Sequence, residues 1–159
     1  MTRTLKTIAI VAAGILAVSC GNARKVAGTA SNANFPELRK DGTVAVVAHR
    51  GFWNCDEAGK AQNSIAALRL AQENGFWGSE FDAQLTSDDV VIINHDNSIN
   101  KKVIWDTPFA AFKDDRLKNG ETIPTLDEYL EQGAKCATTM LVFELKQQKN
   151  EAREDVLLD

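Results

Sequence analysis

The sequence predicts an α/β fold with a mostly parallel sheet, and three observations carry that prediction. Apolar runs at residues 44–48, 78–85, 90–94 and 140–145 have the length of strands, and the first and third are rich in Val and Ile. Helical patterns with start and stop residues lie between most of them. Each run ends in polar residues of catalytic type, and in a parallel barrel the carboxyl ends of the strands form the active face.

The elements follow in order. Between the first two runs, Asn63 or Ser64 can cap a helix whose apolar side is Ile65, Leu68, Leu70 and Ala71, with Gly75 closing it after Asn74. Thr107 followed by Pro108 predicts a second helix start. Thr125-Leu126-Asp127-Glu128 is a capping box for a third helix, ending at Gly133. A last helix is expected to begin near Gln148. Only residues 83–89 separate Asp82 from the third run, too few for a parallel crossover of ordinary length. Two solutions stay open: an unusual extended crossover, or a hairpin turning at Ser87-Asp88-Asp89.

Before this domain lies a different kind of sequence. Arg3 and Lys6 precede a short apolar run, then Leu16-Ala17-Val18-Ser19-Cys20. That is the pattern of a secretory signal, and its ending resembles a bacterial lipobox. The expected organisation is a signal peptide at 1–19, a lipidated Cys20 with a flexible tether at 20–40, and a domain from 41 to 159. The expected location is the bacterial cell envelope, lipid-anchored to a membrane. With a net charge of −4 the chain has no electrostatic footprint for nucleic acid. Anionic lipid would not attract it, so attachment would rest on the acyl chains. Cys55 and Cys136 have neither metal-site nor redox spacing and are expected to be free thiols.

Chemistry concentrates at the ends of the apolar runs: His49-Arg50-Gly51, Glu80 with Asp82, His95-Asp96, and Glu144 with Lys146. Side chains two apart on a strand share a face. Glu80 therefore points with Asp82, and Glu144 with Lys146, while Phe81 and Leu145 point away. Three carboxylates suit a hard, oxygen-ligated cation, Ca²⁺ or Mg²⁺. Two histidines fit acid and base roles. Arg50 and Lys146 supply donors for phosphate oxygens. Trp53, Trp77 and Trp105 fit a substrate cleft and ordinary packing equally well.

These residues resemble the glycerophosphodiester phosphodiesterase family. The matching stretches are Ala48-His49-Arg50-Gly51, Gln62-Asn63-Ser64, Gly78-Ser79-Glu80-Phe81-Asp82, Leu85-Thr86-Ser87-Asp88, His95-Asp96, Ile123-Pro124-Thr125-Leu126 and Phe143-Glu144-Leu145-Lys146, in family order. The resemblance implies a TIM-type (β/α)8 barrel, of which only the N-terminal half, about four strands, is present. It implies metal-dependent hydrolysis of a small glycerophosphodiester to an alcohol and glycerol 3-phosphate. His49 and His95 correspond to the acid/base pair, Glu80, Asp82 and Glu144 to the metal ligands, and Arg50 and Lys146 to the phosphate contacts. In the family the substrate's own glycerol hydroxyl is thought to attack phosphorus, giving a cyclic phosphate that water opens. The resemblance also implies that His95 shares a site with Asp82.

Two departures accompany the resemblance. Gln62 stands where the family usually has an acidic residue, and the family barrel needs about 250 residues where this chain has 159. The chain is therefore expected to be the N-terminal part of a longer protein, its half-barrel leaving sheet edges open. Other expectations are a related phosphodiesterase acting on a lipid or polymer, and a non-catalytic lipoprotein binding module.

Overall fold

Strand β3 (Gly78–Leu85) organises the sheet, because all eight of its residues are buried. In the computed structural model, which describes Thr7–Ile8 and residues 44–156, it is flanked on both sides. On one side it runs parallel to β2 (Val47–Ala48), with Val47 opposite Gly78. On the other it runs parallel to β7 (Met140–Leu145), from Gly78 opposite Met140 to Ala83 opposite Leu145. These three parallel strands alternate with helices α1 (Ile65–Glu73) and α2 (Leu126–Gly133), the repeating unit of a β/α barrel.

The short link after Asp82 resolves as a hairpin. Strand β4 (Val91–Ile93) pairs antiparallel with the end of β3, with Ala83 opposite Ile93 and Leu85 opposite Val91. Its turn is locked by Thr86, whose backbone N–H donates to the Val90 carbonyl and whose hydroxyl accepts from Val90 N, both at 3.0 Å. Asp89 takes a positive φ of 63° in the turn. Seven residues cannot make a parallel crossover, and they suffice for a hairpin.

Alternation along the strands sorts the two faces of the sheet. Phe81 and Ala83 of β3, and Leu141 and Phe143 of β7, face the helices and pack with Leu68, Ile93 and Tyr129. The Phe81 ring sits 4.7 Å from that of Tyr129 and 5.6 Å from that of Phe143, centroid to centroid. Between α1 and α2, Gln132 Nε2 donates to Gln72 Oε1 at 2.9 Å, and Gln72 Nε2 donates to the Gln132 and Gly133 carbonyls. This buried amide pair meets its own hydrogen-bonding needs and pins the helices together.

The caps form where expected. Ser64 caps α1 by accepting from Ala67 N, and Gly75, at φ 68°, closes the helix. Thr125 and Glu128 form the reciprocal capping box of α2. Glu121 adds a cap the sequence did not announce: its carboxylate accepts from Ile65 N at 2.9 Å and Ala66 N at 3.2 Å. Two expectations change. The segment after Pro108 is a single 3-10 turn, Phe109–Phe112, and Thr107 donates its hydroxyl to the Val103 carbonyl instead of capping. The last helix, α3 (Glu151–Val156), begins three residues later than predicted. Residues 94–124 form an excursion with its own small core of Ile92, Ile104, Phe112 and Ile123, and it includes the short ribbon β5 (Ser98–Ile99) with β6 (Lys102–Val103).

Within the predicted signal segment, Thr7–Ile8 forms a two-residue strand, β1, antiparallel to β7, with Thr7 opposite Glu144. Cys20, the rest of the signal and the tether lie outside the described residues. Cys55 is half-buried, its Sγ donating to the Phe52 carbonyl at 3.3 Å, and Cys136 is buried. Among the described residues no helix is long and apolar enough to cross a membrane.

Candidate active site

The face of the sheet away from α1 and α2 carries Glu80, Asp82 and Glu144. Parallel register puts Asp82 directly opposite Glu144, and period-two alternation puts Glu80 beside Asp82. One carboxylate oxygen from each of the three lies within 4.8 Å of the others. Asp82 is fully buried, and Glu80 nearly so. Burial, together with the neighbouring Asp82 and Glu144 charges, raises the Glu80 carboxyl to a pKa of about 7, against an opposing backbone hydrogen bond from Arg50.

The donor set fits a hard divalent cation. Among the described residues Glu80 Oε1 is buried without a hydrogen-bond partner, an acceptor left unsatisfied. All three ligands are carboxylate oxygens, and such a group is costly to bury without a positive charge among it. Glu80, Asp82 and Glu144 would hold the ion.

Two cations border the cluster. Lys146 Nζ donates to Glu144 Oε1 at 2.8 Å and stands 3.3 Å from Asp82 Oδ1. Burial works against its charge, but the Glu144 hydrogen bond and the two carboxylates outweigh it and hold the ammonium above its ordinary pKa. Arg50 Nε stands 3.6 Å from Asp82 Oδ2, and its NH1 donates to Gln62 Oε1 at 2.8 Å. Arg50 N also donates to Glu80 Oε2 at 2.8 Å.

That last contact depends on an unusual turn. Directly after β2 the chain reverses over Ala48-His49-Arg50-Gly51, closed by Gly51 N to the Ala48 carbonyl at 3.2 Å. Arg50 holds φ at 58° and Gly51 at 78°. A Cβ on residue 51 would meet Ala67 Cβ at 2.7 Å, so glycine is required both for its backbone and for its space. The turn presents His49 to solvent with Nε2 3.9 Å from Glu80 Oε2.

The hairpin explains how His95 reaches the same region. Because β4 runs back along β3, Asn94 N donates to the Asp82 carbonyl at 3.0 Å, and His95 is the next residue. His95 Nδ1 lies 2.8 Å from Asp96 Oδ1. An ionised carboxylate only accepts, so in this contact Nδ1 is the donor.

Of the residues predicted for catalysis, metal and phosphate contacts, Glu80 and Asp82 lie on β3, Glu144 on β7 with Lys146 just after it, and His49, Arg50 and His95 shortly after β2 and β4, while Cys20 lies outside the described residues. Three residues outside the predicted catalytic, metal and phosphate-contact sets contribute to the site. Asn63, read as a possible helix cap, clamps Asp82 with Nδ2 donating to Oδ2 at 2.8 Å. Asp96 orients His95. Gln84 lies on the Glu80–Asp82 face and is fully buried; the period-two rule, carried one step further, would have found it. The three tryptophans are all half-buried.

The fold and site together define a β/α-barrel protein with an acidic, cation-competent centre at the carboxyl ends of its strands. Residues 49–157 match the glycerophosphoryl diester phosphodiesterase family, and the chain belongs to it. A solved glycerophosphodiester phosphodiesterase from Parabacteroides distasonis is 45% identical, with a TM-score of 0.64 over 67% of this chain and 44% of that one. A phosphodiesterase from Oleispira antarctica, solved in complex with the product sn-glycerol-3-phosphate, is 33% identical, with a TM-score of 0.53 over 63% of this chain and 43% of that one. Glycerophosphodiester phosphodiesterase 1 of Homo sapiens is 29% identical over 133 residues, 74% of this chain and 38% of that protein. The chain therefore spans well under half the length of these relatives.

Proposed function

We propose that this chain is the catalytic N-terminal part of an exported glycerophosphodiester phosphodiesterase, which hydrolyses a glycerophosphodiester to an alcohol and glycerol 3-phosphate in phospholipid and glycerol metabolism. The observation that supports it best is the convergence of Glu80, Asp82 and Glu144 with Lys146, Arg50 and His49, to which the hairpin adds the segment carrying His95 through the Asn94 N–H bond to the Asp82 carbonyl. The Oleispira antarctica relative holds sn-glycerol-3-phosphate as product, and the same product class is proposed here.

A bound Ca²⁺ or Mg²⁺ would supply Lewis-acid polarisation of a phosphate oxygen and of the attacking hydroxyl. The protein's own groups do the rest. Lys146 and Arg50 place positive charge beside the carboxylates, where a phosphate anion approaches. His49 and His95 act as the acid/base pair. One takes the proton of the glycerol hydroxyl as its oxygen bonds to phosphorus, and the other gives a proton to the departing alcohol as its bond to phosphorus breaks. Water then opens the cyclic ester, and the two imidazoles exchange protons in the reverse sense. Asp96 holds the His95 ring in place through its contact with Nδ1.

The test is turnover of glycerophosphocholine or glycerophosphoethanolamine by the full-length protein, with and without chelator. Activity is expected to vanish on chelation and to return with Ca²⁺ or Mg²⁺. His49→Ala and His95→Ala should each lower kcat by about 10²–10⁴-fold. Full activity in excess chelator would remove the metal from the reading. Clear turnover of a lipid or polymer diester, with none of the small esters, would reassign the substrate.

Membrane attachment through Cys20 belongs to the same proposal. Cys20→Ala should abolish incorporation of radiolabelled fatty acid and release the protein from the membrane fraction.

A further inference from the structure

Gln84 takes no part in the chemistry above, yet its amide N–H groups both go to the segment that carries His95. It is fully buried and lies two residues beyond Asp82 on the same face of β3. Its Nε2 donates to the Asn94 carbonyl at 2.9 Å and to the Asp96 carbonyl at 2.6 Å. Those are the carbonyls on either side of His95. Asn94 Nδ2 donates to the same Asp96 carbonyl at 2.6 Å, and Asn94 N is bonded to the Asp82 carbonyl at 3.0 Å.

The other end of the amide is informative. Among the described residues Gln84 Oε1 is buried with no hydrogen-bond partner. An unmet buried carbonyl is unfavourable, and an apolar side chain of similar size would avoid it. The hairpin does not need Gln84 to form, because the β3–β4 ladder and the buried Ile92 and Ile93 already hold it. What an apolar residue could not do is hold the Asn94 and Asp96 carbonyls that bracket one histidine.

We propose that Gln84 is the positioning residue of His95, holding the carbonyls of the residues before and after it so that the imidazole keeps one orientation. The proposal rests on His95 being one of the two proton-transfer residues. It assigns Gln84 no contact with substrate. The donors at Nε2 are the working part, so a side chain of the same shape without donors should fail.

The experiment uses the full-length protein and compares Gln84→Leu and Gln84→Glu with the parent. His95→Ala identifies which imidazole NMR signal belongs to His95, and His49→Ala identifies that of His49. In Gln84→Leu the His95 signal is expected to broaden or split while that of His49 stays unchanged. Turnover should fall about 100-fold in kcat, as for a displaced catalytic group, with KM little changed. Gln84→Glu should recover activity on the acidic side of the pH profile, because a neutral carboxyl can donate to one carbonyl and an ionised one cannot. A parental, sharp His95 signal in Gln84→Leu would overturn the proposal, and so would a loss confined to KM. If Gln84→Leu does not fold, Gln84→Glu carries the test alone, and a pH profile identical to the parent's overturns it. An inactive parent would instead count against the phosphodiesterase reading, and the NMR comparison would still decide the role of Gln84.

Discussion

Asn63 grips Asp82 at two points: its Nδ2 donates to Asp82 Oδ2 at 2.8 Å, and its Oδ1 receives the Asp82 backbone N–H at 3.4 Å. Both residues are buried, so the carboxylate that sits deepest in the acidic cluster has its orientation set from the N-terminal edge of α1. Asn63 also holds φ at 58°, a conformation asparagine tolerates better than most residues. Asn63→Ala is expected to cost about 1–3 kcal/mol of stability by stripping a buried acceptor. It should weaken Ca²⁺ binding about 10- to 100-fold, as loss of a group that orients a metal ligand does. Urea denaturation and calorimetric titration with Ca²⁺ check the two effects separately.

The raised Glu80 carboxyl makes both stability and cation binding depend on pH. Its pKa is about 7 in the folded chain against an ordinary 4.5, so the folded state holds this proton more tightly than the unfolded state does. The contribution is fully present below pH 4.5 and is lost as pH rises through about 7. Cation-free protein should therefore lose melting temperature over that window, and Glu80→Gln should remove that part of the slope. Cation affinity should run the opposite way and strengthen towards pH 7, because binding displaces the proton. Thermal melts in chelator, and Ca²⁺ titrations at several pH values, distinguish the two trends.

Gly51→Ala tests the turn that carries His49 and Arg50. The added Cβ would meet Ala67 Cβ at 2.7 Å and the Ala67 backbone at 2.8 Å, at a φ of 78°. Strain and overpacking together should destabilise the chain by roughly 2–4 kcal/mol. The Arg50 N–H to Glu80 bond should be lost with the turn, so the fall in denaturation midpoint should be accompanied by weaker cation binding.

Gln62→Glu tests the charge of the site. Arg50 NH1 now donates to a neutral amide oxygen, 2.8 Å away. A carboxylate there would neutralise part of the guanidinium charge and add to the three acids already present. Ca²⁺ affinity is expected to rise roughly tenfold and affinity for inorganic phosphate to fall by a similar factor. Competition titrations with the two ions would read both.

Some of this was legible residue by residue. Thr125 and Glu128 announce α2 because a capping box is satisfied within four consecutive residues. Glu80 and Asp82 can be paired from spacing, because strand geometry fixes which side chains share a face. Thr107 and Pro108 misled, because a local start signal is overridden when the following residues pack Phe112 into a small core as a single 3-10 turn. The link from Asp82 to His95 stayed open, because loop length limits a connection without choosing its direction.

By itself the sequence determined the chemistry and its order: His49-Arg50, Glu80 with Asp82, His95, and Glu144 with Lys146, each at the end of an apolar run. These are short-range properties, set by period and by residue type. The tertiary structure decided what lies opposite what. It put Glu144 across from Asp82 through parallel register, and it returned His95 to Asp82 through an antiparallel hairpin. It also turned Asn63 and Gln84 from a helix start and a strand residue into clamps. Those roles come from hydrogen bonds between segments far apart in the chain, and such bonds exist only once burial has brought the strands together.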